Sequence, residues 1–300
     1  MLKLLILFIK LATVNTYTNI LPPFLILDPL LQSWLIEDIG RGDRTTQSLL
    51  STKSTFKSAK WIAKAPGVIA GLPVAARIFQ LLSNKVEFNY VVSEGAICQP
   101  GHIIAEIHGS FDSLLMGERV ALNLAMRLSG IATLTHEYVT RIADLPTKFV
   151  DTRKTTPGLR ILEKYASAVG GAINHRMGLD DTVMIKDNHI VAAGGITSAI
   201  TQIRASIPYT LNIEVETETL EQVQEALDCA ADMIMLDNMS IEMITKAVEL
   251  IRQQDSKVKI EASGNVNLTT IRQIAETGVD YISSSAPITQ SKWLDISMRI

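Results

Sequence analysis

The basic residues with the clearest chemical potential lie between residues 151 and 190. Arg153 and Lys154 come shortly after one apolar run typical of a strand, and Lys186 directly follows another. Arg176 lies between these two positions, in a turn flanked by glycines. Because successive strand ends of a β/α fold meet on one rim, where ligands bind, we expect these cations to converge. Such a cluster would bind an anion that carries several charges.

Polar residues also follow the later predicted strands. Glu216 and Asp237 each come after an apolar run, and small polar loops follow at 263–265 and 283–286. Any one of these residues could be a helix N-cap, but a whole series at strand ends is hard to assign to capping alone. Carboxylates among cations suit Mg²⁺, since Mg²⁺ prefers one or two carboxylates together with substrate oxygens. Small loops before helices suit a phosphate, which backbone N–H groups can bind.

Three segments of this region closely resemble the decarboxylating quinolinate phosphoribosyltransferase family. They are Asp151-Thr-Arg-Lys-Thr-Thr-Pro-Gly158, Asn174-His-Arg-Met-Gly178 and Ile185-Lys-Asp-Asn-His189. The resemblance runs from about Asp28 to near the C-terminus. It implies transfer of a phosphoribosyl group from phosphoribosyl diphosphate to quinolinate, with loss of CO₂, to give nicotinate mononucleotide for NAD biosynthesis.

The resemblance also implies roles for individual residues. Lys154, Lys186, Glu216 and Asp237 would be catalytic, with Mg²⁺ as cofactor near the two carboxylates. The quinolinate carboxylates would be held by Arg153, His175 and Arg176, together with Arg119 from the other subunit of a homodimer with a shared active site. The full set of expected substrate-binding residues is Arg119, Thr152, Arg153, Lys154, His175, Arg176, Lys186, Glu216, Asp237, Ser263, Gly264, Asn265, Ser284 and Ser285.

Two positions depart from the family pattern, and both lie in the expected phosphate loops. Asn265 stands where the family often has a second glycine, and Ser285 stands where the last loop usually has one. Both side chains place a Cβ where backbone would approach a phosphate. Asn tolerates a left-handed backbone conformation, so Ser285 is the larger departure.

From residue 148 onward the sequence alternates between apolar runs and amphipathic segments. The predicted strands are 148–150, 182–185, 211–215, 233–236, 257–260 and 279–282. Parallel strands joined by helices at this spacing indicate a β/α barrel or an open α/β sheet. The strands are too few for an eightfold barrel, and the family fold, an incomplete β/α barrel of about seven strands, accounts for the shortfall.

The region before the barrel is predicted to be an α+β domain with an antiparallel sheet. Strands are expected within 59–70, at 86–92 and as a pair around a Pro-Gly turn in 97–107, with a helix at 73–82. A long helix is expected at 114–130. The predicted domains are an N-terminal extension 1–27, an α/β sandwich domain 28–113 joined by a C-terminal tail of about 287–300, and a barrel domain 114–286.

Several helix ends carry capping signals. Asp28 is predicted to cap the first helix with Pro29 at its first position, and Thr156 and Pro157 do the same for a helix that ends at a Gly-Gly pair. The predicted N-caps of the later helices are Thr219, in a capping box with Gln222, then Ser240 and Asn267.

Composition narrows the class of protein. The chain has 300 residues, 47% hydrophobic and 20% charged, which is typical of a packed globular protein. A net charge of −3 argues against a nucleic-acid or anionic-membrane partner. Cys98 and Cys229 provide neither a disulfide framework nor metal-ligand spacing, so we expect a reducing compartment, the cytoplasm. The apolar segment 1–11 is shorter than the roughly 20 residues that span a bilayer.

Three alternatives remain open at this level. A related pyrophosphorylase-like enzyme could act on another base, although the Asn-His-Arg and Lys-Asp-Asn-His segments favour quinolinate. A non-catalytic barrel could sense phosphorylated ligands, but such a protein is expected to have lost some of the charged residues at the rim. None of them is missing from this sequence. A secreted, adhesive protein would explain Arg41-Gly-Asp43 and the sequons at Asn238 and Asn267, yet those asparagines fall at a predicted strand end and helix cap.

Overall fold

The structure is a computed structural model that describes residues 21–50 and 55–300. Residues 1–20 and 51–54 lie outside the described residues, and with them most of the predicted extension 1–27. Within the described residues, the helices lack the combination of length and hydropathy needed to cross a membrane.

The chain divides into two compact units. The first contains the described residues up to His136, with Ile161–Gly171 and Gln290–Ile300, and the second contains Glu137–Arg160 and Ala172–Thr289. The expected boundary at 113/114 would place the long helix in the second unit, but most of that helix clusters with the first.

The first unit contains five helices or parts of helices and a four-stranded antiparallel sheet in the order β12-β1-β5-β3. Its elements are α1 (Phe24–Ile39), α2 (Arg44–Leu49), β1 (Phe56–Ala63), β2 (Gly67–Val68), α3 (Leu72–Leu82), β3 (Glu87–Tyr90), β4 (Ile97–Cys98), β5 (Ile103–Ser110), most of α4 (Phe111–Arg141), α5 (Arg160–Val169) after its first residue, and β12 (Ile296–Arg299). The buried rings of Trp61 and Phe79 meet edge to face, with centroids 6.5 Å apart. The C-terminal strand β12 pairs with β1, so the tail completes this sheet.

Several predicted boundaries in this unit are wrong. Helix α1 begins at Phe24, with Pro23 at the N-cap, so Asp28 does not cap it and Pro29 lies inside it. Asp28 instead pairs with Arg77, at 2.6 Å. The two strands around the Pro-Gly turn, β4 and β5, do not pair with each other, because β4 joins β2.

The long helix does not end at Gly130, as predicted, but continues to Arg141. A Cβ at Gly130 would collide with the backbone carbonyl of Lys292. The glycine therefore permits a close backbone approach inside the helix instead of marking its end.

The second unit is built on a six-stranded parallel sheet in the order β6-β11-β10-β9-β8-β7. Its elements are β6 (Lys148–Val150), β7 (Val183–Ile185), α6 (Asp187–Ala193), α7 (Ile196–Arg204), β8 (Ile213–Thr217), α8 (Leu220–Asp228), β9 (Met233–Asp237), α9 (Ile241–Gln254), β10 (Lys259–Ser263), α10 (Ile271–Glu276), β11 (Tyr281–Ser283) and α11 (Ala286–Thr289). A single parallel bridge from Val150 to Ile173 supplies a further strand position. The predicted incomplete β/α barrel is confirmed.

The strands β8, β9, β10 and β11 begin or end later than predicted, and this shift matters for the site. Glu216, Asp237 and Ser263 belong to the strands themselves rather than following them. Ser263 is in register with Asp237, and Glu216 with Met235. Because side chains alternate along a strand, Glu216, Asp237 and Ser263 face the barrel interior, and the residues next to them on each strand face the helices.

Two of the predicted helix caps in this region are wrong. Thr156 and Pro157 form a turn, and α5 begins only at Arg160. Asn267 accepts from the N–H groups of Thr269 and Thr270 one turn before α10, whose N-cap is Thr270. The other two N-caps are confirmed, since Thr219 accepts from Gln222 and Ser240 from Met243. The predicted capping box is incomplete, because the Gln222 side chain accepts from the N–H of Glu218 and not from that of Thr219.

Candidate active site

A cavity of about 560 Å³ opens at the carboxyl ends of the barrel strands. Eleven of the expected site residues line it, namely Thr152, Arg153, Lys154, His175, Arg176, Lys186, Glu216, Asp237, Ser263, Gly264 and Asn265. The structure therefore brings together cations from three separate loops and two carboxylates from adjacent strands. A position at the carboxyl ends of parallel strands is where β/α folds bind their ligands.

Three expected residues do not line this cavity. Arg119 is exposed on α4, in the first unit. The Ser284 hydroxyl donates to the Val266 carbonyl, at 3.3 Å, and accepts from the N–H of Ala286, so it serves the local turn. The Ser285 carbonyl accepts from Ile288 and Thr289 at the start of α11.

The turn that carries His175 and Arg176 is anchored by the buried carboxylate of Asp151. This carboxylate accepts from the Asn174 side chain, at 2.7 Å, and from the His175 backbone N–H, at 2.8 Å. The isolated bridge at Ile173 holds the residue just before the turn against the end of β6. Asp151 directly follows β6 and precedes the loop of Arg153 and Lys154. It thus fixes the loop of His175 and Arg176 against the end of that strand.

The guanidinium of Arg176 lies partly buried in the barrel wall. It donates to the Thr182 carbonyl, at 3.2 Å, and contacts the Met184 sulfur. Burial, and then the charge of nearby Arg153, lowers the pKa of Arg176, while the Glu214 carboxylate opposes that shift. The guanidinium groups of Arg153 and Arg176 are near enough for the charge of one to lower the pKa of the other. Two cations in this arrangement indicate a site prepared for negative charge.

Arg153 itself has a donor with no partner. Its Nη1 atom is buried and has no hydrogen-bond partner among the described residues. An unpaired buried donor is unfavourable, by about 1–3 kcal/mol or more when it is charged. An anionic acceptor in the cavity would satisfy it.

Lys186 and Glu216 form an ion pair across β7 and β8. The Glu216 side chain is only 14% exposed. On the neighbouring strand, Asp237 accepts from the Asn238 side chain, at 2.7 Å. Two carboxylates at adjacent strand ends suit Mg²⁺ that is completed by substrate oxygens, because Mg²⁺ takes few protein ligands.

The loop after β10 has an unusual backbone. Gly264 has a φ of 89° and Asn265 a φ of 52°, both in the left-handed region. A Cβ at Gly264 would collide with the Asn238 side chain. The glycine is therefore required by both conformation and space, and Asn265 tolerates its conformation as an asparagine can.

Residues that line the cavity without having been predicted are Met184, Met235, Asn238 and Glu261, and Ser283 lines it as the first residue of the predicted phosphate loop 283–286. Glu261 had a recognisable signal, because a carboxylate interrupts the apolar strand Lys259–Ser263. Glu214 interrupts Ile213–Thr217 in the same way. Burial, and then the nearby Glu214 carboxylate, raises the pKa of Glu261 to about 8, whereas His175 and Lys186 oppose the shift.

Comparison with known proteins identifies two matching family models. Residues 131–299 match the quinolinate phosphoribosyl transferase C-terminal domain, and residues 43–129 match the N-terminal domain of the same family.

Relatives and solved structures match over nearly the whole chain. A probable nicotinate-nucleotide pyrophosphorylase [carboxylating] from Synechocystis is 60% identical over 281 residues, which cover 93% of this chain and 94% of the relative. The corresponding protein of Bacillus subtilis is 45% identical over 91% of this chain and 93% of its own. The crystal structure of NadC from Streptococcus pyogenes is 42% identical, with a TM-score of 0.88 over 93% of this chain and 97% of that one.

Proposed function

Because the chain belongs to the quinolinate phosphoribosyltransferase family, we propose that it transfers the phosphoribosyl group of phosphoribosyl diphosphate to quinolinate. The reaction releases diphosphate and CO₂ and gives nicotinate mononucleotide, a precursor of NAD. Both substrates carry several negative charges, which matches the cation-rich cavity of the barrel.

The observation that carries this proposal is the buried, unpartnered Nη1 of Arg153 in a cavity shared with Lys154, Arg176 and Lys186. Quinolinate offers two adjacent carboxylates. Arg suits a planar carboxylate, because its fork donates two parallel hydrogen bonds, whereas Lys acts as a point charge. We therefore assign the carboxylates to Arg153 and Arg176, beside His175, and assign Lys154 and Lys186 to the boundary between quinolinate and the diphosphate.

Glu216 and Asp237 are assigned to the ribose hydroxyls and to Mg²⁺. Their position at adjacent strand ends supports this assignment, as does the Lys186 ion pair, which holds Glu216 in place. When bound, Mg²⁺ would offset the charge of the leaving diphosphate. The loop at Ser263, Gly264 and Asn265 is assigned to the 5-phosphate, because Gly264 lets backbone approach an anion closely.

The chemistry needs no covalent intermediate with the protein. The bond from ribose C1 to the diphosphate oxygen breaks, and its electron pair leaves with the diphosphate. The pyridine nitrogen donates its lone pair to C1. The carboxylate at ring position 2 then leaves as CO₂, and its bonding electrons remain on the ring carbon beside the cationic nitrogen. A proton from water completes that carbon. The protein's residues position the two substrates and stabilise their charges.

The proposal also includes a homodimer with shared active sites, in which Arg119 reaches the site of the other subunit. Arg119 is exposed on α4, and no hydrogen bond or ion pair holds its side chain among the described residues. Cys98 and Cys229 are free thiols, which supports a reducing compartment such as the cytoplasm.

The test is a reaction of purified protein with quinolinate, phosphoribosyl diphosphate and Mg²⁺, in which the pyridine nucleotide is measured by chromatography. We expect nicotinate mononucleotide that depends on all three components. Replacing quinolinate with nicotinate, or with a pyrimidine carboxylate, should give no nucleotide. Product from another base, and none from quinolinate, would assign the protein to a different reaction.

A further inference from the structure

Both ring nitrogens of His175 face groups of the protein. The backbone N–H of Arg176 donates to Nδ1, at 2.6 Å. On the other side of the ring, Nε2 lies 3.3 Å from Oε2 of Glu214 and 3.6 Å from Oε2 of Glu261. Because Nδ1 accepts a hydrogen bond, a neutral ring carries its proton on Nε2. This nitrogen lies beside the two carboxyl groups at ion-pair distance, without the angle of a hydrogen bond to either.

The two glutamates form a buried layer beneath the cavity. Their side chains are 4% and 2% exposed, and the Oε1 atom of each has no hydrogen-bond partner among the described residues. A second cavity, of about 270 Å³, is lined by His175, Arg176 and both glutamates. Two carboxyl groups in one buried layer are unfavourable unless they have partners. Ser283 and Lys186 also interact with Glu261, but His175 is the cationic or donor group that lies beside both carboxyl groups.

A metal site is the main alternative, because one ligand atom from each of His175, Glu214 and Glu261 lies within 4.8 Å of the others. A metal at Nε2 would need a lone pair there. A neutral imidazole has one lone pair, and the Arg176 N–H already occupies the lone pair of Nδ1. The observed hydrogen bond thus favours a proton on Nε2 over a metal.

We propose that Glu214 and Glu261 are positioning residues that hold His175 in the Nε2–H tautomer and fix the ring. Through the ring and the Nδ1 hydrogen bond they also fix the backbone of Arg176, on the side opposite the Asp151 anchor. The consequence for quinolinate rests on the proposed function. The pair preorganises the Arg176 guanidinium for one carboxylate of the pyridine substrate, and contributes to affinity for that substrate more than for phosphoribosyl diphosphate.

The tautomer can be measured without any substrate. The chain has five histidines, so ¹⁵N-histidine labelling gives few ring resonances, and His175→Gln identifies the relevant one. In the wild-type protein we expect an acceptor-type Nδ1 and a protonated Nε2. Glu214→Gln and Glu261→Gln keep an acceptor oxygen and should keep this tautomer. The double variant Glu214→Leu with Glu261→Leu should convert it to a mixture of tautomers.

Three results would overturn the proposal. The first is a wild-type His175 with its proton on Nδ1. The second is a folded double Leu variant with an unchanged tautomer. The third is a shift of the Nε2 resonance on addition of Zn²⁺ alone, which would assign the cluster to a metal. A double variant that does not fold leaves the first and third results decisive, together with the Gln variants.

Steady-state kinetics then test the consequence for substrate. Glu261→Leu should raise KM for quinolinate between about tenfold and 10²-fold, the scale for misplacing a binding group by about 1 Å. The KM for phosphoribosyl diphosphate should stay close to that of wild type, and Glu261→Gln should recover most of the loss. Glu249→Leu, at an exposed position of α9, is the matched control and should behave as wild type.

An equal rise in both KM values, or no recovery with Gln, would show a general structural effect and overturn the positioning role. Failure of the proposed function is a separate outcome. In that case the wild-type protein gives no nucleotide from quinolinate, while the tautomer measurement remains readable.

Discussion

Lys186 donates from its ammonium group to the Glu216 carboxylate, across the neighbouring strands β7 and β8. The pair lies at the carboxyl end of the barrel, in the cavity that Arg153, Arg176 and Asp237 also line. It places a cation and a carboxylate where two polyanionic substrates would meet. Each group holds the other in place before substrate binds, as electrostatic preorganisation requires.

Replacement of Lys186 by Ala should lower kcat/KM by about 10²-fold or more, since it removes one preorganised charge and leaves Glu216 without its partner. Steady-state assays of the variant measure the loss. Lys246→Ala is the control, because Lys246 is exposed on α9. Near-wild-type turnover of Lys186→Ala would remove this residue from the site.

Gly264→Ala should raise KM for phosphoribosyl diphosphate much more than KM for quinolinate. The new Cβ would collide with the Asn238 side chain at a φ of 89°, so the loop assigned to the 5-phosphate must shift. Gly101→Ala controls for backbone strain alone, because Gly101 has a φ of 90° with open space around it. Equal effects on the two KM values would argue against a phosphate at this loop.

Glu261 should make the stability of the protein fall as pH rises. Its folded-state pKa of about 8 lies above its ordinary value of 4.5, so the folded state retains a proton that the unfolded state releases. The resulting stabilisation is full below about pH 4.5 and is lost progressively towards pH 8.

Comparison of wild type with Glu261→Gln isolates this effect, because the amide does not titrate. The unfolding free energy of the variant minus that of wild type should increase with pH by up to about 1.4 kcal/mol per pH unit. Urea denaturation at several pH values between 5 and 8 measures the difference, with the limits set by the two pKa values. A difference that does not change with pH would contradict the raised pKa.

A mixture of Arg119→Ala and Lys186→Ala subunits tests the shared site. If Arg119 serves the other subunit, each mixed dimer regains one intact site, and random mixing should restore about a quarter of wild-type activity. Each variant alone should remain impaired. Native mass spectrometry of one tagged subunit verifies the exchange, and no recovery despite verified exchange would place Arg119 in its own subunit's chemistry or outside the site.

The cations of the site were predictable from sequence because they interrupt the expected pattern at strand ends. Arg153, Lys154 and Lys186 have no structural reason to follow apolar strands, and all three line the cavity. Glu214 and Glu261 were missed because site residues were expected at strand ends. They lie inside strands, and a period of two places them on the interior face, where a carboxylate is unexpected unless a partner such as His175 is known.

Tertiary contacts decided the remaining differences. Pro29 is a good first residue for a helix, yet α1 begins five residues earlier, at Phe24, and buries Leu27 completely. Gly130 would end most helices, but α4 continues past it. The residue is a glycine because a Cβ at this position would collide with the backbone of Lys292. Lys292 is far from Gly130 in sequence, so local patterns could not reveal this contact.

The origin of the released CO₂ shows whether the protein decarboxylates quinolinate as proposed. Quinolinate labelled with ¹³C in the carboxyl at ring position 2, or separately at position 3, is converted with phosphoribosyl diphosphate and Mg²⁺, and the gas and the nucleotide are analysed together. We expect one labelled CO₂ for each nicotinate mononucleotide from the position 2 label, and none from position 3. Nucleotide without CO₂, or label released from position 3, would contradict it.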